Sequence, residues 1–142
     1  MPRPLHADFA ALLEQKPSEL TELFLGLREF ILDLYPEANE IFYHTQALTS
    51  VFSLSDKLVH GFVHLPIYRK HMNLGFNQGA LLPDPVKLLQ GSGKLIRHLP
   101  IKQQQDYQRP EVQTLILDAI ALSHTQFKGP SRVTGMSISK IK

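Results

Sequence analysis

The sequence predicts an α+β fold, in which an antiparallel sheet is covered on one side by helices. Apolar residues recur at helical spacing near both ends of the chain, over residues 18–34 and 110–127. Between residues 40 and 77 they instead alternate with a period of two, which is typical of strands. The links between these strands are short, and short links favour antiparallel pairing because parallel strands need a long crossover. Helices gathered before and after such a sheet then pack on one of its faces.

Three helices are predicted, over residues 5–15, 18–34 and 110–127. Pro17 separates the first two, because the residue before a proline is disfavoured in a helix. Gly26 lies inside the second helix at a cost of about 1 kcal/mol relative to alanine, which indicates close packing there. Pro110 suits the first turn of the third helix.

Five strands are predicted, over residues 40–45, 48–55, 57–67, 71–77 and 94–99. Between the last two, the sequence from Pro83 to Gly91 predicts a helical turn. We assign residues 1–127 to a single domain and residues 128–142 to a basic tail. The tail contains Lys128, Arg132, Lys140 and Lys142 and no acidic residue. It is either a solvated terminus or a strand added to this or another subunit.

Composition excludes several classes of protein. The chain has no cysteine, which excludes disulfides, thiol nucleophiles and thiolate metal sites. A net charge of +2 falls short of the clustered basic surface that nucleic acid requires. No apolar run approaches the roughly 18 residues of a membrane span, and the N-terminus lacks the apolar stretch of a signal peptide. We therefore expect a cytoplasmic location.

Polar side chains on one sheet face are the first candidate site. In the fourth strand, alternation places Met72, Leu74 and Phe76 on one face and His71, Asn73, Gly75 and Asn77 on the other. A cavity over the polar face would be lined by some of His44, His60, His64, His71, Asn73 and either Arg97 or His98. Arg97 and His98 fall on opposite faces of their strand, so only one of them can line this cavity. The alternative is that each histidine is an ordinary half-exposed strand residue. No acidic residue lies at a fixed spacing from the histidines, so neither a metal site nor a cofactor is predicted.

The glycine-rich segment at residues 91–94 is the second candidate. Backbone amides in such a turn can bind an anion. The residues that would take part are Ser92, Gly93, Lys94 and Arg97. The spacing is not that of a Walker loop, and a strand rather than a helix follows. The alternative is a flexible turn whose glycines permit positive φ. No nucleophile motif accompanies it, and an enzyme that uses His60, His64 or His71 as a base is left open.

Two segments resemble the YdhG-like family, number 1801 among the domains of unknown function. They read HMNLGFNQGALLPDP at residues 71–85 and LLQGSGKLIRH at residues 88–98. The resemblance implies an α+β domain with a curved antiparallel sheet and helices on one side. One branch of the family is described as a frataxin-like iron chaperone, which relies on an acidic surface that this sequence lacks. Many members carry a Tyr-Gly-Met-Pro-like segment where residues 44–48 stand here, so its role does not carry over.

We therefore predict a small cytoplasmic binding domain for a small anionic or polar ligand near residues 91–97. The alternatives are a frataxin-like iron chaperone and an interaction module. The latter would form a homodimer through an exposed sheet face or the tail. Neither nucleic acid nor a membrane is an expected partner.

Overall fold

The structure is a computed structural model that describes residues 3–127 and 133–142, and it confirms the α+β fold. Helices α1 (Ala7–Leu13) and α2 (Ser18–Leu34) come first, and α3 (Pro110–Gln126) follows the fifth strand. The strands are β1 (Asn39–His44), β2 (Leu48–Ser53), β3 (Gly61–Ile67), β4 (Met72–Phe76), β5 (Arg97–Ile101) and β6 (Ser137–Ser139). Short 3-10 turns lie at Leu58–His60, Gly79–Leu81 and Gln104–Asp106.

The strands form one open six-stranded sheet in the order β5-β4-β3-β2-β1-β6. All neighbours are antiparallel except β1 and β6, which are parallel. The sixth strand, at residues 137–139, belongs to the predicted tail. Of the two structures that the sequence left open for the tail, these residues therefore adopt a strand added to the sheet of their own subunit. Asn39 fixes the tail, because its buried amide donates to the Val133 carbonyl (2.8 Å) and accepts from the Met136 amide (3.0 Å). The tail residues Lys128 and Arg132 lie outside the described residues.

The helices cover one face of the sheet and build the core against it. Phe9 of α1 lies between Phe24 of α2 and Phe42 of β1, with ring centroids 5.0 and 4.7 Å away. The apolar set of β4 is buried in the same core, as alternation predicts. Because the helices pack on this side of the sheet, the polar face of β3, β4 and β5 is the side that points away from them.

Two local predictions along β3 are wrong, one because of a 3-10 turn and the other because of a bulge. The strand begins at Gly61 instead of residue 57, because the 3-10 turn Leu58–His60 precedes it. The pairing register shifts between Phe52 and Ser53, and such a shift resets the alternation of side chains. Phe62 therefore packs in the core, although strict alternation along β3 would place it on the same face as His64.

The segment before β5 is also not the predicted helical turn. The Asp84 carboxylate accepts hydrogen bonds from the amides of Leu88 and Leu89, each at 2.9 Å, and holds an irregular loop. Lys87 in that loop has φ of 55°, which a helix does not allow. Strand β5 then runs over Arg97–Ile101 rather than residues 94–99 and contains Pro100. A proline fits there because β5 ends the sheet, where a missing amide costs no interstrand bond.

A buried ion pair attaches α2 to the sheet. Glu40 of β1 is fully buried and accepts from Nε and Nη2 of Arg28, at 2.7 and 2.8 Å. Arg3 approaches the same carboxylate at 3.4 Å and donates to the Pro36 carbonyl at 3.0 Å. Gly26 of α2 packs against the Tyr107 hydroxyl, which confirms the close packing predicted there.

No helix in residues 3–127 or 133–142 combines the length and apolar character needed to cross a membrane.

Candidate functional site

The structure distributes the predicted site residues over several places. His44 ends β1 and is exposed. His71 precedes β4, is exposed, and stacks on Tyr68 with ring centroids 4.5 Å apart. His60 lies in the 3-10 turn before β3, beside the end of α3. Only His64, Asn73 and His98 share the sheet face that points away from the helices.

That shared face contains a cross-strand row of His64, Gly75 and His98. His64 of β3 pairs with Gly75 of β4, which in turn pairs with His98 of β5. Arg97 lies on the opposite face, so His98 is the residue of the predicted either-or pair that joins this row. A side chain on Gly75 would collide with the His64 ring, which therefore lies directly over the glycine.

His64 is held in one orientation on this face. Its Nδ1 lies 2.8 Å from Oδ1 of Asn77. Burial lowers the pKa of His64 below the usual 6.5, opposed by the Asn77 hydrogen bond and reinforced by the charge of His98. His64 is therefore held in its neutral form at lower pH than an exposed histidine is.

The glycine-rich loop is organised by carbonyl groups. Ser92, Gly93 and Lys94 are all exposed. The Arg97 guanidinium folds back and donates from Nη1 to the carbonyls of Gly93 (2.6 Å) and Ile96 (2.8 Å). The carbonyl of Leu95 accepts from the Ala80 amide at 2.9 Å. Arg97 therefore stabilises the loop through two carbonyls that accept from the same guanidinium nitrogen.

A cleft of about 340 Å³ lies beside this loop, between the turn before β3 and the end of α3. Val59, Leu95 and Phe127 supply apolar walls, and His60, Gln78 and Gln126 supply polar groups. We call it the His60 cleft. Its lining includes one predicted site residue, His60, and Leu95, which directly follows the predicted loop.

His60 is fixed within the cleft by two neighbours. Its Nδ1 lies 2.6 Å from Oγ of Ser55, and its ring meets Phe127 edge-on with centroids 4.3 Å apart. The Ser55 hydroxyl accepts from the Lys57 amide at 3.1 Å and still has its O–H to donate, so it can donate to Nδ1 of His60. With the bond in that direction, the proton of the neutral ring lies on Nε2.

The two glutamines of the cleft were not found by sequence reasoning. The side-chain amides of Gln78 and Gln126 donate to each other, at 2.5 and 2.8 Å. They are 48 positions apart, so no local spacing signals their pairing. Since both partners are neutral and solvent-accessible, a ligand that offers an amide or a carboxylate can replace either of them at little cost.

A larger cleft of about 580 Å³ lies along α2, but its cations are already paired. Arg3 and Arg28 line it, and both donate to Glu40. The acids Glu29 and Asp33 line it as well, so it offers no net positive charge to an anion. We assign this cleft a structural role.

Within the described ranges, no three histidine or acidic side chains are grouped closely enough to hold a metal ion. No protein-family model, curated protein or solved structure matches the chain. The resemblance to the YdhG-like family therefore stays a prediction.

Proposed function

We propose that this chain is a cytoplasmic binding module that holds a small polar or anionic ligand in the His60 cleft. The observation that carries the proposal is the convergence of His60, Gln78 and Gln126 on one cleft with apolar walls. Small-molecule sites commonly combine apolar walls with a few fixed polar groups, and the cleft falls within their usual range of about 300–1,000 Å³.

The chemistry of the cleft favours an elongated ligand with a polar end and an apolar end. Nε2–H of His60 and the glutamine amides donate hydrogen bonds, which suits a carboxylate or a carbonyl. Val59, Leu95 and Phe127 would contact an alkyl or aromatic group. The cleft lies beside residues 91–97, the segment near which the sequence analysis expects a ligand, and Leu95 is the residue of that segment that lines it.

Titration of the full-length protein with butyrate, butyramide and inorganic phosphate, followed by amide NMR shifts, tests this. We expect butyrate or butyramide to move the amides of residues 58–61, 78, 95 and 123–127. Gln126→Ala should weaken binding severalfold, whereas Gln113→Ala, an exposed glutamine on the same helix, should leave it unchanged. Shifts confined to other regions, or equal binding by both variants, would contradict the proposal. A response to phosphate alone at Lys94 and Arg97 would instead place the site on the loop.

The second candidate is an interaction module that forms a homodimer through the rim of the same cleft. Val59 in the cleft is 80% exposed. Leu81 (56%) and Ile96 (55%) are also exposed, and each follows a residue of the Ala80–Leu95 backbone hydrogen bond beside the cleft. Exposed apolar patches often mark protein interfaces. Light scattering over a hundredfold concentration range decides between a dimer and a monomer. A constant monomeric mass would exclude this candidate.

A further inference from the structure

The row of His64, Gly75 and His98 lies outside the His60 cleft and has a chemistry of its own. Neighbouring strands are about 4.8 Å apart, so the Cα atoms of the two histidines are about 9.6 Å apart across β4. Gly75 leaves the space between them without a side chain, and the His64 ring occupies part of it. Any other residue at position 75 would separate the two imidazoles.

The hydrogen bond to Asn77 decides which nitrogen of His64 is available. Oδ1 of Asn77 can only accept, so the ring proton lies on Nδ1 and Nε2 carries a lone pair. Metal-binding histidines in proteins commonly show this arrangement, with the distal nitrogen donating to an oxygen that fixes the tautomer and the ring plane.

We propose that His64 and His98 together bind one divalent transition-metal ion over Gly75, with Nε2 of His64 as one ligand and Asn77 as a positioning residue. Imidazole nitrogen suits Zn²⁺, Ni²⁺ and Cu²⁺. The pair supplies two protein ligands, and water completes the coordination shell. His64 is half-buried, and its ring lies directly over Gly75.

Calorimetric titration of the full-length, untagged protein with Zn²⁺ and with Ni²⁺ tests the site. We expect one ion per chain. His64→Gln and His98→Gln should each weaken binding by at least tenfold, while the exposed His44→Gln and His71→Gln should not change it. Mutating a residue that hydrogen-bonds a metal ligand usually lowers metal affinity by about 10–100-fold, so Asn77→Ala should lower the affinity by about tenfold. Asn77→Asp keeps the acceptor oxygen and should restore affinity, which a purely structural role would not explain.

Paramagnetic broadening by Ni²⁺ in the unaltered protein provides a second measurement, independent of whether any variant folds. Broadening centred on residues 64, 75 and 98 supports the site. Broadening centred on His44, His60 or His71, no bound ion at millimolar metal, or equal affinity in His98→Gln would overturn it. Because butyrate binding uses a separate cleft, neither result decides the other.

Discussion

Replacing Glu40 by glutamine removes the charge that pairs α2 with β1 while keeping the size of the side chain. Glu40 is fully buried and Arg28 is only 7% exposed. The substitution leaves the Arg28 guanidinium in the core without a carboxylate. It also places a side-chain NH₂ group against the N–H donors of the guanidinium.

The expected loss of stability follows from the two short bonds between these residues. Hydrogen bonds to charged groups contribute about 1.5–3 kcal/mol each, and breaking one side of a buried ion pair costs about 3–5 kcal/mol. The amide oxygen of the introduced glutamine still accepts, but it is neutral. We therefore expect Glu40→Gln to lower the free energy of unfolding by about 3–5 kcal/mol. A chain of 142 residues has roughly 7–21 kcal/mol of stability at about 0.05–0.15 kcal/mol per residue, so the variant should still fold.

Urea unfolding at 25 °C, followed by circular dichroism, measures this change. Glu111→Gln is the matched control, because Glu111 pairs with Arg109 at 3.1 Å on the surface. This variant should lose less than about 1 kcal/mol of its free energy of unfolding. Replacing both partners, as Glu40→Leu with Arg28→Met, should recover most of the loss, because the one cation left, Arg3, is 15% exposed and keeps its hydrogen bond to the Pro36 carbonyl. A loss below about 1 kcal/mol for Glu40→Gln would refute the reasoning.

Three further predictions concern close contacts and titration. Gly75→Ala should destabilise the protein by about 1–3 kcal/mol in urea, because its methyl group meets the His64 ring, and His64→Ala should largely cancel that loss. Gly26→Ala should also destabilise the protein, because its methyl group meets the Tyr107 hydroxyl, although alanine in place of glycine normally stabilises a helix by about 1 kcal/mol. Adding Tyr107→Phe should relieve the clash. A gain in stability for Gly26→Ala alone would contradict the close packing. The lowered pKa of His64 means that the unfolded chain binds more protons below about pH 6.5, so this contribution to stability is complete above that pH and is lost as the pH falls toward the folded pKa. The urea midpoint of His64→Gln should depend less on pH between about 5 and 7 than that of the unaltered protein, and equal slopes would contradict this.

Local sequence signals predicted most of the elements correctly. Helix α2 spans the residues that its apolar spacing and flanking prolines indicate, and β4 buries the side chains that alternation assigns to the core. The errors lie where a tertiary contact overrides the local pattern. The bulge after Phe52 turns Phe62 into the core, and the Asp84 carboxylate holds a loop where a helical turn was expected.

The candidate sites depended more on the tertiary structure than the secondary-structure elements did. Alternation placed His64 and Asn73 on one face, and it restricted that face to one of Arg97 and His98. It could not show that Gly75 lies between His64 and His98, because that relation depends on the register of three strands. Gln78 and Gln126 meet only because α3 ends beside the turn after β4.

The sequence by itself therefore determined the class of fold, the helices, most strands and the faces of β4. These follow from side-chain periodicity and from proline and glycine, which act over a few residues. Only the tertiary structure decided that the tail joins β1, that Arg97 folds onto its own loop, and that His60 lies in a cleft with two glutamines. Each of these results depends on contacts between distant segments, whose geometry is set by packing of the whole domain.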